Sequence, residues 1–255
     1  VRLYRATVGE NATTTWDALT WSPAWDGGNE YSKIILTAEG NASLTLPDSI
    51  TADEFTINVA SGSTLTLAKA TGGTAMTVSK LEIDDGTVAV ADANFFDSRA
   101  INGTGTLKIT TTGALTSALS GNAKFEIPSG VAVGVTSGSI ANTITGAGTL
   151  AYQSALPATA PTFSGWTGTV QLPAIATDVA INFSNYGIAG STVAITSMTA
   201  GWIENAEVLP EINLVGNMTL NYFSGNWANT FDKLSGVGTF TLAAAQDNAA
   251  FCLCH

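Results

Sequence analysis

The chain has 255 residues, of which 37 are Thr, 38 Ala and 26 Gly, and only 11% are charged, against roughly 25% in an average soluble domain. Nine Lys and Arg face 20 Asp and Glu for a net charge of −11, and after Lys124 the sole base is Lys233, so the basic stripe that nucleic acid or an anionic membrane surface requires is missing. A hydrophobic content of 45% argues against disorder, no run of 18 apolar residues is there to cross a membrane, and the only His, His255, is the last residue, which leaves no Ser-His-Asp triad.

Residues 1–35 are the first predicted unit. They carry Trp16, Trp21 and Trp25 within TTTWDALTWSPAWDGG. Three tryptophans ahead of a series of short strands are expected to plug its open end, because an uncovered strand edge invites aggregation. Stacking on sugars is the other use of such a cluster. Val1 opens the chain without Met or an apolar leader, which fits a removed secretory signal as well as a chain that begins there.

The strands follow in order. ASLTL (42–46) and VASGSTLTL (59–67) come first, then LEIDDGTVAV from Leu81 and INGTGTLKI from Ile101. FEIPSGVAV from Phe125, ITGAGTLAY from Ile144, WTGTVQL from Trp166 and IAGSTVAI from Ile188 continue the series. PEINLVGNMTL from Pro210 and LSGVGTFTL from Leu234 close it, and the run Ala243–Ala245 is read as a short capping helix. Apolar residues alternate with Thr, Ser or Lys in each strand, which is the period of a half-buried β-strand.

One pattern recurs: apolar, x, Gly, x, Gly, Thr, apolar, x, apolar. Its full copies hold Gly103, Gly105 and Thr106; Gly146, Gly148 and Thr149; and Gly236, Gly238 and Thr239. Related copies start at 59 and 188, so the five starts lie 42, 43, 44 and 46 residues apart. The Leu81, Phe125 and Pro210 series falls between them, which halves the unit to about 22 residues. A strand of four or five residues between glycine corners cannot bury its own face, but stacked on like neighbours it can. The predicted fold is therefore all-β, a right-handed parallel β-helix (β-solenoid) of about ten coils, forming a single domain over 1–255 with a capping tail at 243–255.

At Gly103, Gly146 and Gly236 the sequence resembles the autotransporter-associated β-strand repeat family, secreted bacterial passenger proteins whose repeats look like G-x-G-T-L-x-L. The Trp-rich opening and SLTLPDSITADEFTINVASGSTLTL resemble the start of such passengers. The likeness spans roughly residues 12–242 and implies a secreted, surface-exposed repeat protein. It implies no catalytic residue, because the repeat carries none. The outer-membrane barrel or sorting tail common in that family is not visible in this sequence.

Candidate chemistry is sparse. Asp84-Asp85-Gly86 is the strongest acidic pair, and with Asp92 nearby in sequence it is a candidate calcium or sugar site, since polysaccharide-cleaving enzymes use paired carboxylates and Ca²⁺ takes oxygen-rich turns. Asp-Asp-Gly is equally a turn. Glu82, Asp97 and Arg99 flank it. Cys252-Leu-Cys254-His255 is one residue short of haem attachment and incomplete as a zinc site; a disulfide or an inert tail are the alternatives. Trp166, Trp202 and Trp227 are expected in core or corner packing. Asn11, Asn41, Asn102, Asn182 and Asn217 begin N-x-S/T triplets, which an Asn- and Thr-rich composition produces by itself.

The expected function follows: a non-enzymatic extracellular structural protein at a bacterial cell surface, a self-assembling filament or adhesin subunit. It needs no cofactor and no metal. Its expected partners are other copies of itself, end to end, and cell-surface glycans, with no nucleic acid and no membrane insertion. A carbohydrate-binding or polysaccharide-degrading module is the alternative.

Overall fold

Alternating side chains set the architecture. A computed structural model of the chain describes residues 1–136, 138–177, 179–199, 202–204, 211–220, 223–224, 230–231, 234–242 and 252–253. The described residues are all-β with two short 3-10 turns and no α-helix, and every ladder between named strands is parallel. In the strand Lys33–Ala38 the burial alternates residue by residue, as it does in Leu3–Val8 and Ala42–Thr45.

The strands pair rung upon rung. Leu3–Val8 pairs with Lys33–Ala38, which pairs with the long strand Ser49–Ala68, which pairs with Ala75–Val90. These long strands run through two stacks, so both belong to one 11-stranded sheet. The first stack continues to Ile101–Asn102. The second starts at Thr13–Thr15 and Ala42–Thr45, continues through Thr106–Ile109 and Lys124–Ile127, and ends at Ile144–Gly146 and Phe163–Trp166. A separate seven-stranded sheet runs from Gly113–Leu115 through Ala132–Val135, Thr149–Tyr152, Thr169–Leu172, Thr192–Ile195 and Glu211–Leu214 to Leu234–Gly236.

In-register pairing stacks like on like inside. Ile34, Phe55, Leu81 and Ile101 form one interior column, and Leu65, Val88, Leu107, Phe125 and Ile144 another. All are buried, and each is worth about 1.5–3 kcal/mol of apolar burial. Because the rungs are parallel, N–H and C=O groups along the regular stretches of an inner strand pair above and below, with breaks between Val59 and Thr64 and between Ile144 and Gly146.

The rung spacing matches the motif spacing in part: it is 21 residues from Ile34 to Phe55, 23 from Leu65 to Val88, 23 from Val170 to Val193 and 22 from Ile212 to Leu234, and shorter in the middle of the chain. Leu107 pairs with Phe125, 18 residues on, and Phe125 with Ile144, 19 on. Val133 pairs with Leu150, only 17 on, whereas the motifs predict about 22. The Gly-x-Gly-Thr pattern stays in phase with the ladder from Leu65 through Val88 to Leu107 and from Leu150 through Val170 to Val193, and slips against it between the 101 and 144 copies. Leu107, seventh residue of one copy, lies two rungs below Ile144, first residue of the next. As a result Thr106–Ile109 falls in the 11-stranded sheet and Thr149–Tyr152 in the seven-stranded one.

The repeat glycines have a common physical cause. Gly103, Gly146 and Gly236 all take φ near +105°, and a Cβ on any of them would collide with the carbonyl oxygen of the rung below, at Ile83, Ile127 and Leu214 respectively. The second glycine is also pressed against backbone: a Cβ on Gly105 would lie 2.8 Å from the Gly86 oxygen, and one on Gly148 2.5 Å from the Pro128 oxygen. The two interleaved sequence series thus sit directly on one another. Thr106 and Thr149 each open the strand that follows.

Candidate functional site

The acidic pair is built into one of these corners. Asp85 has φ +65°, a left-handed turn conformation. The backbone N–H of Thr104, between the two repeat glycines, donates to Asp84 Oδ1 at 3.1 Å, and the Thr104 hydroxyl donates to the same oxygen at 3.4 Å. The Asp85 N–H donates in turn to Thr104 Oγ1 at 3.1 Å. Asp84-Asp85-Gly86 is therefore a kink inside the strand Ala75–Val90 whose polar groups fasten it to the next rung.

Asp92 serves a different loop, where its Oδ1 accepts from the Asn94 N–H at 2.8 Å. Asn94 is the hub of that loop: its Oδ1 accepts from Arg99 Nη2 at 3.1 Å and from the Thr116 N–H at 3.2 Å. Arg99 also donates to the carbonyl of Phe96 at 3.1 Å. Burial draws the Arg99 guanidinium below its ordinary pKa, opposed by Asp97 and Asp92. Among the described residues, no three His, Cys, Asp or Glu side chains converge to hold a metal ion.

Side chains that tie rung to rung are the site feature the sequence reading missed. Asn41 Oδ1 accepts from the Thr64 N–H at 2.8 Å, Asn122 Oδ1 from the Gly103 N–H at 2.8 Å, and Asn217 Oδ1 from the Thr239 N–H at 3.2 Å. Asn142 is buried and spans three rungs, donating through Nδ2 to the carbonyls of Ala123 at 2.9 Å and Ile101 at 3.2 Å. The only signal available was an Asn one turn before a Gly- or Thr-rich strand, which also reads as an ordinary loop residue.

At the N-terminal end the three tryptophans form one cluster. Trp16 lies 4.4 Å from Trp21 and 5.2 Å from Trp25 by ring centroid, and meets Phe55 edge-on at 5.9 Å. Trp16 is fully buried and Trp21 nearly so. Tyr4 and Arg2 both hydrogen-bond Asp26. The Tyr4 hydroxyl and the Gly28 N–H hold the Asp26 carboxyl below the usual range, and burial raises the Tyr4 phenol. The outermost strand is covered at its middle: the Arg5 N–H donates to the Ser22 carbonyl at 3.0 Å and the Ser22 N–H to the Arg5 carbonyl at 2.9 Å.

Besides a hollow of about 240 Å³ lined by Thr15, Trp16, Asp17, Thr45 and Asp48, two others mark the described surface. One, of about 290 Å³, lies beside Tyr152 under the 154–158 loop; burial, and then Tyr186, push the Tyr152 phenol well above its ordinary value. The other, of about 300 Å³, lies across Thr13, Ser43 and Thr66. Neither contains Asp84, Asp85 or Asp92.

Trp166 is buried and stacks on Phe163 at 5.6 Å. Trp202 belongs to the strand Trp202–Glu204. Cys252 lies in a two-residue strand paired with Thr230–Phe231. Trp227, Ala243–Ala245, Cys254 and His255 lie outside the described residues, as does all of 243–255 except Cys252–Leu253. Comparison with known protein families, with curated proteins and with solved structures finds no match for this chain.

Proposed function

We propose that the chain is a right-handed parallel β-helix serving as a non-enzymatic structural subunit outside a bacterial cell, either a surface filament or an adhesin, of the kind built from autotransporter-associated repeats. One observation carries this reading. Of the candidate acids, Asp84 fastens one strand to the next through Thr104 and Asp92 fastens its own loop through Asn94, and Asn41 and Asn122 likewise tie strand to strand at Thr64 and Gly103. A scaffold uses polar groups in that way, whereas an enzyme leaves them aimed into a cleft.

The low charge and the in-register parallel ladder further support the reading. Copies would join end to end through strand edges, as peptides add to exposed sheets. At the N-terminal end this addition first requires Ser22 to leave Arg5. Light scattering after size exclusion, with negative-stain imaging, tests the proposal. Rods, or rods joined lengthwise, are expected; a spherical monomer at high concentration would overturn it.

A further inference from the structure

We propose that the hydroxyl-lined groove over the first three rungs of the second stack binds a neutral glycan strand. This rests on the adhesive form of the reading above and supplies its ligand class. The groove is bounded by Asn11, Thr13, Asn41, Ser43, Thr64 and Thr66.

Register makes these groups a lattice. Thr13 pairs with Ser43 and Ser43 with Thr66, so three hydroxyl-bearing residues stand in one column across successive strands, about 4.8 Å apart. A second column, Thr15 and Thr45, lies two residues along, on the same face by the period of the strand. Asn41 borders the column and is held in place, because its Oδ1 accepts from the Thr64 N–H at 2.8 Å. That bond leaves the Asn41 amide donors for an outside partner. Groups fixed before binding lose little entropy when a ligand arrives.

The lattice has a definite length. Below, Thr13–Thr15 has no further strand. Above, the column passes from Thr66 to Ala89 and then to Lys108 and Glu126, which pair with each other at 3.0 Å. The hydroxyl run therefore covers three rungs and stops at an ion pair.

Charge selects the ligand. No charged side chain lines the groove around Thr13, Ser43 and Thr66, and the adjoining hollow that holds Thr15 and Thr45 adds only acids, Asp17 and Asp48. At the groove's rim the Glu10 side chain packs against Gly40, next to Asn41, and the whole chain carries −11. A polyanion would be repelled and would find no cation to pair with. A neutral polyhydroxylated chain offers donors and acceptors at regular intervals and needs no counter-charge.

The test is an amide-shift titration of the full chain by NMR, with a neutral glucose hexamer in one arm and an oligogalacturonate of equal length in the other. Expected are shifts confined to the amides around Thr13, Ser43 and Thr66 with the neutral sugar, and none with the acidic one. Ser43→Ala and Thr66→Ala should each weaken binding about fivefold, as loss of one hydrogen bond implies. Ser43→Tyr, which fills the groove, should abolish binding with the thermal midpoint unchanged. No shift with the neutral hexamer, equal binding of the acidic one, or full affinity in the Ser43→Ala/Thr66→Ala double variant would each overturn the proposal. Rod formation by the wild type is scored separately: rods without sugar binding defeat the groove alone, and sugar binding without rods defeats the structural reading alone.

Discussion

The rungs before residue 90 and those after residue 101 solve the same stacking problem with different chemistry. In the early rungs, charge crosses the ladder: Glu54 sits between Lys33, at 2.6 Å, and Lys80, at 3.0 Å, and an aromatic cluster gathers around Trp16. In the later rungs Lys108–Glu126 is the last ion pair among the described residues, and backbone lies directly on backbone where Gly103, Gly146 and Gly236 omit a side chain. Six of the 20 acids and one of the nine bases lie beyond residue 126. Close approach itself is common to both regions, since a Cβ on Gly28 would collide with the Thr51 oxygen and one on Gly86 would lie 2.6 Å from the Ala60 oxygen; what changes is that past Glu126 the glycine contacts act with no ion pair beside them among the described residues.

The largest effect that would break this contrast is expected at the early end. Trp16→Ala removes a fully buried indole that touches Trp21, Trp25 and Phe55, and should cost about 3–5 kcal/mol in chemical denaturation. A loss below about 1 kcal/mol would mean that the cluster decorates the end without closing it.

Next come the glycine corners, where an internal control exists. Gly103→Ala should cost about 3 kcal/mol, combining an unfavourable φ with a forced backbone clash. Gly130→Ala shares a positive φ of 80° but would meet nothing within 4 Å, so it should cost only about 1 kcal/mol. Equal losses at the two sites would show that backbone conformation alone, without close stacking, explains the repeat.

A smaller effect distinguishes a fastener from a reaction centre. Asp84→Asn keeps an acceptor for the Thr104 N–H and should change the midpoint little, while Asp84→Ala should cost about 1 kcal/mol. A large loss in the Asn variant would show that the charge itself is needed there.

The smallest effect is a pH dependence of the early rungs. The Lys33 ammonium, then that of Lys80, holds the Glu54 carboxyl below its ordinary pKa. Glu54 therefore adds stability that is complete above the unfolded glutamate value, about 4.3, and that disappears as pH falls through the lowered folded value. Glu54→Gln should flatten this acid limb in thermal melts between neutral and acid pH. An unchanged limb would remove the ion-pair column from the account.

Much of the ladder was legible because alternation is a local property. Leu65-Thr66-Leu67 and Leu107-Lys108-Ile109 each show which side chains turn inward without reference to any neighbour. The tryptophan cluster was legible for a similar reason: large apolar rings so near one another in sequence have few places to go. The rung length was legible in rungs such as Leu65–Val88 and Val170–Val193 but not in the middle of the chain, because motif spacing records where corners recur along the chain, whereas pairing is decided by what each strand meets above and below. Leu107 meeting Phe125 after 18 residues is a property of the stack. The fastening role of Asn122 and Asn142 was hidden for the same reason, since their partners Gly103 and Ile101 lie 19 and 41 residues away.

The slip between motif and ladder bears on how such a chain can grow. A tandem duplication of the 43-residue block from Ile101 to Thr143 would not repeat the same face. Its Thr-Leu strand would re-enter six residues out of phase, as Ile144 already does above Leu107. The 59 and 101 copies, by contrast, keep one phase: Leu65 and Leu107, each the seventh residue of its copy, stand two rungs apart in one column through Val88, as Leu150 and Val193 do through Val170. Lengthening by such a block keeps a face aligned where the two rungs it adds match the block's length, and turns it where they fall short.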